Sequence, residues 1–197
     1  MYKRQIQSTN FTETASVQQF DATLGTLTDI VIQLTGTVEG SANAESLDAA
    51  VSTVTLNLGA DVTLTRPDGS TIAVALPQVA ETVNLSAFDA GIDFAGTSGV
   101  SLTGLTNTAS DTQTLTSAAD FSLFTGNGVV LLGVEALANS SATGAGNVIT
   151  QFLTSAGATI SVTYNFEANA AVPEPATMLL LGAGVLGGAM KRRKLNA

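Results

Sequence analysis

The chain has 197 residues, no Cys, His or Trp, and a formal charge of −9 from 16 acids and seven bases. Six of the bases lie at the two ends (Lys3, Arg4, Lys191, Arg192, Arg193 and Lys194), so Arg66 alone faces 15 acids between residues 5 and 172, a net charge of −14. That balance excludes nucleic-acid binding, which needs cations to neutralise phosphates, and the missing Cys and His exclude a disulfide framework and a Cys/His zinc site.

Residues 1–10, "MYKRQIQSTN", start with charge and contain no apolar run of the kind that opens an export signal. They read as a disordered lead-in or a mis-started N-terminus, with the export signal expected upstream. Residues 11–168 then read as one all-β domain, long enough to bury a core without covalent staples. In "TDIVIQLTGTVEG", Ile30, Ile32, Leu34 and Val38 share one face while Gln33, Thr35, Thr37 and Glu39 share the other. This period of two predicts a half-buried antiparallel strand.

The alternation returns at Val54, Leu56, Leu58, Val62 and Leu64, at Ile72, Val74 and Leu76, and at Ile160, Val162, Tyr164 and Phe166. Between the second and third of these runs, "RPDGS" combines the fixed φ of Pro67 with Asp68 and a Gly69 free to take positive φ, which predicts a hairpin. "SANAESLDAAV" is open to a short helical turn, and no amphipathic helix is evident. About 8–10 strands with Gly- and Asn-rich connections predict an antiparallel β-sandwich of jelly-roll type.

Chemistry-bearing patterns in this domain are sparse. With no His or Cys, and no Lys between Arg4 and Lys191, neither a Ser-His-Asp, a Cys-His nor a Ser-Lys unit can be assembled. No catalytic residue is therefore assigned, although paired carboxylates leave a two-carboxylate glycoside hydrolase as a distant alternative. Asp89 and Asp93 in "FDAGIDFAGTSG" are candidate Ca²⁺ ligands on a Gly-rich loop, with Asx turns as their ordinary structural role. A Ca²⁺-dependent carbohydrate-binding module is accordingly a second reading. Arg66 is expected to pair with Asp68 or another carboxylate.

The end of the chain differs from the rest. Residues 169–175 read as a linker holding Val172, Pro173, Glu174 and Pro175; the two prolines bias it towards an exposed, extended form. Residues 176–190 carry no charge and predict an apolar helix of ~22 Å, shorter than the ~30 Å hydrocarbon core of a bilayer. Extending it upstream would bury Glu174, at roughly 2.5–3.5 kcal/mol at the bilayer centre. Lys191, Arg192, Arg193 and Lys194, in the basic tail 191–197, stay cytoplasmic by the positive-inside rule, which puts the β domain across the membrane.

Val-Pro-Glu-Pro, a short apolar segment and a terminal basic cluster together resemble the PEP-CTERM sorting signal of Gram-negative bacteria. The resemblance implies recognition near Pro173-Glu174-Pro175 by an exosortase, a membrane-embedded protease or transpeptidase. Transient anchoring in the inner membrane and release to the cell surface or extracellular space would follow, with exopolysaccharide as a candidate partner.

The segments "FDATLGTLTDIVIQLTGTVEG", "AFDAGIDFAGTSG", "LTSAADFSLFTGNG" and "NVITQFLTSAGATISVTYNF" also resemble choice-of-anchor E domains. That resemblance implies architecture and no activity. The expectation is a surface or matrix protein with no resident cofactor.

Overall fold

The computed structural model describes residues 2–144 and 146–169. Ten strands and one helix follow in chain order: β1 (Tyr2–Ser8), β2 (Phe11–Gln18), β3 (Gly25–Ser46), β4 (Ser52–Thr65), β5 (Thr71–Ala75), β6 (Gln78–Leu85), β7 (Gly99–Leu115), α1 (Ala118–Phe124), β8 (Val129–Ala138), β9 (Ser141–Gly144) and β10 (Val148–Ala168). One sheet runs β1-β10-β3-β7; the other runs β2-β8-β4-β5, with β6 and β9 also paired to β4.

Two of the strands are interrupted rather than independent. β5 and β6 line successive stretches of one side of β4, broken at Leu76-Pro77, and β8 and β9 line the other side, broken at Asn139-Ser140. Pro77 has no N–H to give the ladder. Its carbonyl instead accepts from Ala60 N at 3.1 Å, while Asn139 N donates to Gly59 O at 2.9 Å. Both breaks therefore face the same point of β4.

Counting each interrupted pair once leaves eight strands with nested pairing. The first pairs with the last, the second with the seventh, the third with the sixth and the fourth with the fifth. A long antiparallel hairpin rolled up in this way is a jelly roll, the sandwich type expected from the sequence.

The inward residues of both sheets form the core. Ile30, Ile32, Leu34 and Val38 of β3 meet Leu58, Val62 and Leu64 of β4, Leu132 and Val134 of β8 and Ile160 of β10, all at most 1% exposed. Each such side chain contributes about 1.5–3 kcal/mol on leaving water. A smaller cluster of Ala42, Ala44, Val54, Leu56 and Leu85 continues the core past Gly40. Near its middle the two sheets approach closely: a Cβ at Gly36 would lie 3.0 Å from Val62 Cγ2 and 3.2 Å from Ala75 Cβ.

β3 and β10 pair without a break in partnership from Val148↔Ser46 to Ala168↔Gly25, with one bulge near Phe166. At ~3.3 Å per residue, the 22 residues of β3 span at most about 70 Å. One end carries the turn at residues 19–24, the Arg66–Ser70 turn and α1. The other carries the connections at residues 47–51, 86–98 and 146–147.

Three sequence expectations are corrected. Of the two readings of residues 1–10, disordered or mis-started, the first is overturned, since Tyr2–Ser8 form β1 on the edge of β10. Residues 41–46 of "SANAESLDAAV" continue β3, because pairing with β7 and β10 on both sides overrides their weak strand propensity. "SAADFSLF" holds a helix, α1, whose seven residues are too few to show a helical period.

Candidate functional site

At the far end of the domain, Asp89 and Asp93 sit on the 86–98 connection. Asp89 Oδ1 accepts from Gly91 N at 3.1 Å, and Asp93 Oδ1 accepts from Ala95 N at 2.9 Å. Both are Asx turns, the structural role expected beside Gly91 and Gly96. Ala90 and Phe94 take φ of 77° and 57°, so the central residue of each Asx turn is left-handed and folds the loop back. Among the described residues no group of three or more His, Cys, Asp or Glu is placed to hold a metal ion.

The carboxylate that organises this loop is Glu45, which the sequence reading did not single out. It follows the inward Ala44 on β3 and so has the parity of the outer face, yet it is 0% exposed because the loop covers it. Its Oε2 accepts from Phe94 N at 2.7 Å and its Oε1 from the Ser98 hydroxyl at 2.6 Å. Ser98 Oγ in turn accepts from Asp89 N at 3.3 Å. Asp48 adds a second tie, accepting from Asn147 N at 2.9 Å, while its carbonyl accepts from Phe88 N at 2.8 Å. These carboxylates are engaged in holding three connections together.

At the opposite end, "RPDGS" forms the expected turn: Gly69 has φ +85°, and its N–H donates to Arg66 O at 2.9 Å. Asp68 Oδ1 accepts from the Ser70 hydroxyl and amide, and these bonds lower its pKa. Arg66 pairs with Asp120 rather than Asp68: its Nε lies 2.8 Å from Asp120 Oδ1, and its Nη1 donates to Ser70 Oγ and Thr71 O.

Asp120 stands in the first turn of α1. Ser117 caps the helix, accepting from Asp120 N at 3.1 Å and donating its hydroxyl to Asp120 Oδ2 at 2.7 Å. Burial opposes ionisation of Asp120, but the Arg66 and Ser117 hydrogen bonds outweigh it and its pKa falls below the ordinary value. Arg66, Asp68, Ser70, Ser117, Asp120 and Leu123 line an open cleft of about 420 Å³. Each Asp120 oxygen thus accepts a hydrogen bond from within the fold, Oδ1 from Arg66 and Oδ2 from Ser117.

The same end carries the exit of the chain. Asn169, just after β10, donates its N–H to Leu24 O at 3.2 Å and its side-chain amide to Thr23 O at 3.1 Å. Val172, Pro173, Glu174, Pro175, the segment 176–190 and the cluster Lys191, Arg192, Arg193 and Lys194 lie outside the described residues. No helix among the described residues is long and apolar enough to cross a membrane.

The fold and the exit together define a jelly-roll domain followed at once by a C-terminal address segment. Residues 171–194 match the PEP-CTERM protein-sorting motif, so the chain carries the signal of an exported protein that is sorted through a C-terminal membrane anchor and processed by exosortase. No curated protein matches the chain. Among solved structures, infectious bursal disease virus of the Gx strain aligns with 14% identity over 92% of this chain and 46% of that one, with a TM-score of 0.23. The Gt strain aligns with 13% identity over 93% and 50%, with a TM-score of 0.14. The chain spans about half the length of each.

Proposed function

We propose that the chain is a structural or adhesive protein of the cell surface or extracellular matrix, displayed by exosortase processing and acting without catalysis. The observation that carries this reading is the sorting motif at 171–194, placed directly after a domain folded to Asn169. The body serves as a hydrated, acidic spacer, in keeping with 15 acids against Arg66 across residues 5–172. Its resemblance to choice-of-anchor E domains fits the same role, a body whose attachment is set by the tail it carries. Exopolysaccharide is the proposed matrix partner.

Support for a non-catalytic role comes from the carboxylates that organise the two ends. Glu45 holds a loop and Asp120 holds a helix cap and Arg66, which leaves both committed to structure. The test is expression of the chain, fused to an export signal, in a host that has exosortase and in the same host lacking it. Mass spectrometry is expected to find the body without residues 176–197 only where the enzyme is present, and an Ala replacement of Pro173-Glu174-Pro175 is expected to leave the precursor in the membrane. Identical processing in both hosts would sink the reading. Binding of the body to the host's exopolysaccharide, with no release of reducing sugar, tests the matrix role.

A further inference from the structure

The domain ends very close to its own processing signal. Asn169 is fastened to Thr23 and Leu24 by two hydrogen bonds, and the last rungs of β10, Phe166↔Leu27 to Ala168↔Gly25, hold the strand up to that point. Only Ala170, Ala171 and Val172 separate Asn169 from Pro173. Four backbone steps reach at most about 14 Å even when fully extended. An enzyme that engages Pro173-Glu174-Pro175 must therefore work with the folded body beside it.

The topology dictates which surface that is. The 19–24 turn touches the exit directly, and the connection after α1 packs on it: Phe20 N donates to Phe124 O at 2.8 Å, and Gly126 N donates to Phe20 O at 2.9 Å. The 86–98 loop, at the other end of β3 and β10, is up to about 70 Å away along the strands.

We propose that the surface formed by the 19–24 turn and the Thr125–Gly128 connection abuts the membrane-embedded sorting enzyme during processing, with the loop at 86–98 pointing away from it. This inference rests on the reading of residues 171–194 as an enzymatically processed signal. Its consequence is that the rate of processing depends on bulk at one end of the domain and is indifferent to bulk at the other.

The chain has no cysteine, so one introduced thiol gives one defined attachment point. Ala22→Cys and Ile92→Cys place it at exposed positions on the near and far ends, respectively. Each full-length variant is coupled to a polyethylene-glycol maleimide, checked for an unchanged melting temperature, and incubated with exosortase in proteoliposomes. The tag at residue 22 is expected to slow cleavage several-fold, and the tag at residue 92 to leave it unchanged.

Inserting roughly ten Gly-Ser residues after Asn169, with an r.m.s. span of about 17 Å, is expected to restore the rate of the residue-22 conjugate. Equal rates for both conjugates, or slowing that the insert does not relieve, would overturn the inference while leaving the sorting signal intact. No cleavage of the untagged chain would instead overturn the sorting reading, and the inference with it.

Discussion

Arg66 Nε stands 2.8 Å from Asp120 Oδ1 and so ties the turn that follows β4 to the first turn of α1. Both side chains are mostly shielded, at 21% and 9% exposure, which lifts the pair above the ordinary surface ion pair. Asp120→Asn is expected to destabilise the domain by about 1.5–3 kcal/mol, the range for a hydrogen bond to a charged group. Because the folded-state pKa of Asp120 lies below 3.8, this contribution is present above that pH and is lost as pH falls through the lowered value. Urea melts between pH 2 and pH 7 should show a shallower acid loss in the variant; parallel curves would refute the assignment.

Tyr164 gives the opposite limb of the pH profile. Burial raises its phenol from 10.0 to about 12, and its hydroxyl donates to Gln18 O at 2.7 Å. The folded state thus keeps a proton that the unfolded state releases, so stability present below pH 10 declines as pH rises towards 12. Absorbance titration at 295 nm should resolve one tyrosine ionising near pH 12, and Tyr164→Phe should remove that step. Ionisation of Tyr164 at its ordinary value would contradict the burial.

Glu45 is the carboxylate on which the far loop is built. Glu45→Ala removes the acceptor for Phe94 N and the Ser98 hydroxyl, each worth about 1–3 kcal/mol when left unsatisfied. The expected signature is local: hydrogen exchange at Phe94 and at neighbouring loop amides accelerates more than exchange in β3 or β4. A uniform acceleration across the domain would show that the residue supports the whole core rather than the loop.

Calcium provides a direct check on Asp89 and Asp93. Their engagement in Asx turns leads to the expectation that Ca²⁺ and EGTA give the same melting temperature, and that Asp89→Asn, which keeps a side-chain carbonyl for Gly91 N, costs less than about 0.5 kcal/mol. A Ca²⁺-dependent rise in melting temperature, abolished by Asp89→Asn, would restore the cation-binding reading.

Much of this architecture was legible because the core strands obey a period of two. Ile30, Ile32 and Leu34 face inward as their spacing dictates, and Pro67, Asp68 and Gly69 make the turn that their backbone preferences demand. β1 was not legible, since "YKRQIQS" has no apolar alternation and acquires strand structure from the edge of β10. The helix α1 left only a local trace, Ser117 followed three residues later by Asp120, a capping pattern easily lost beside a strand.

The sites divide in the same way. Asp89 and Asp93 were visible because Asx turns are local chemistry, with donor and acceptor two residues apart. Glu45 and Asp120 find their partners 49 and 54 residues away, Phe94 and Arg66, pairings that strand spacing does not encode. The address segment was readable without any fold, as its signal lies in the order of prolines, apolar residues and basic residues along the chain.

The unbroken partnership of β3 and β10 also has a mechanical meaning. If the mature protein is held by its C-terminus and gripped at the far loops, tension enters β10 at Ala168 and leaves through the turn beyond Ser46. The pull then runs along the strands while their hydrogen bonds lie across it, so neighbouring rungs resist together in shear instead of parting one at a time. A body built this way is strongest along the line between its attachment and whatever it touches.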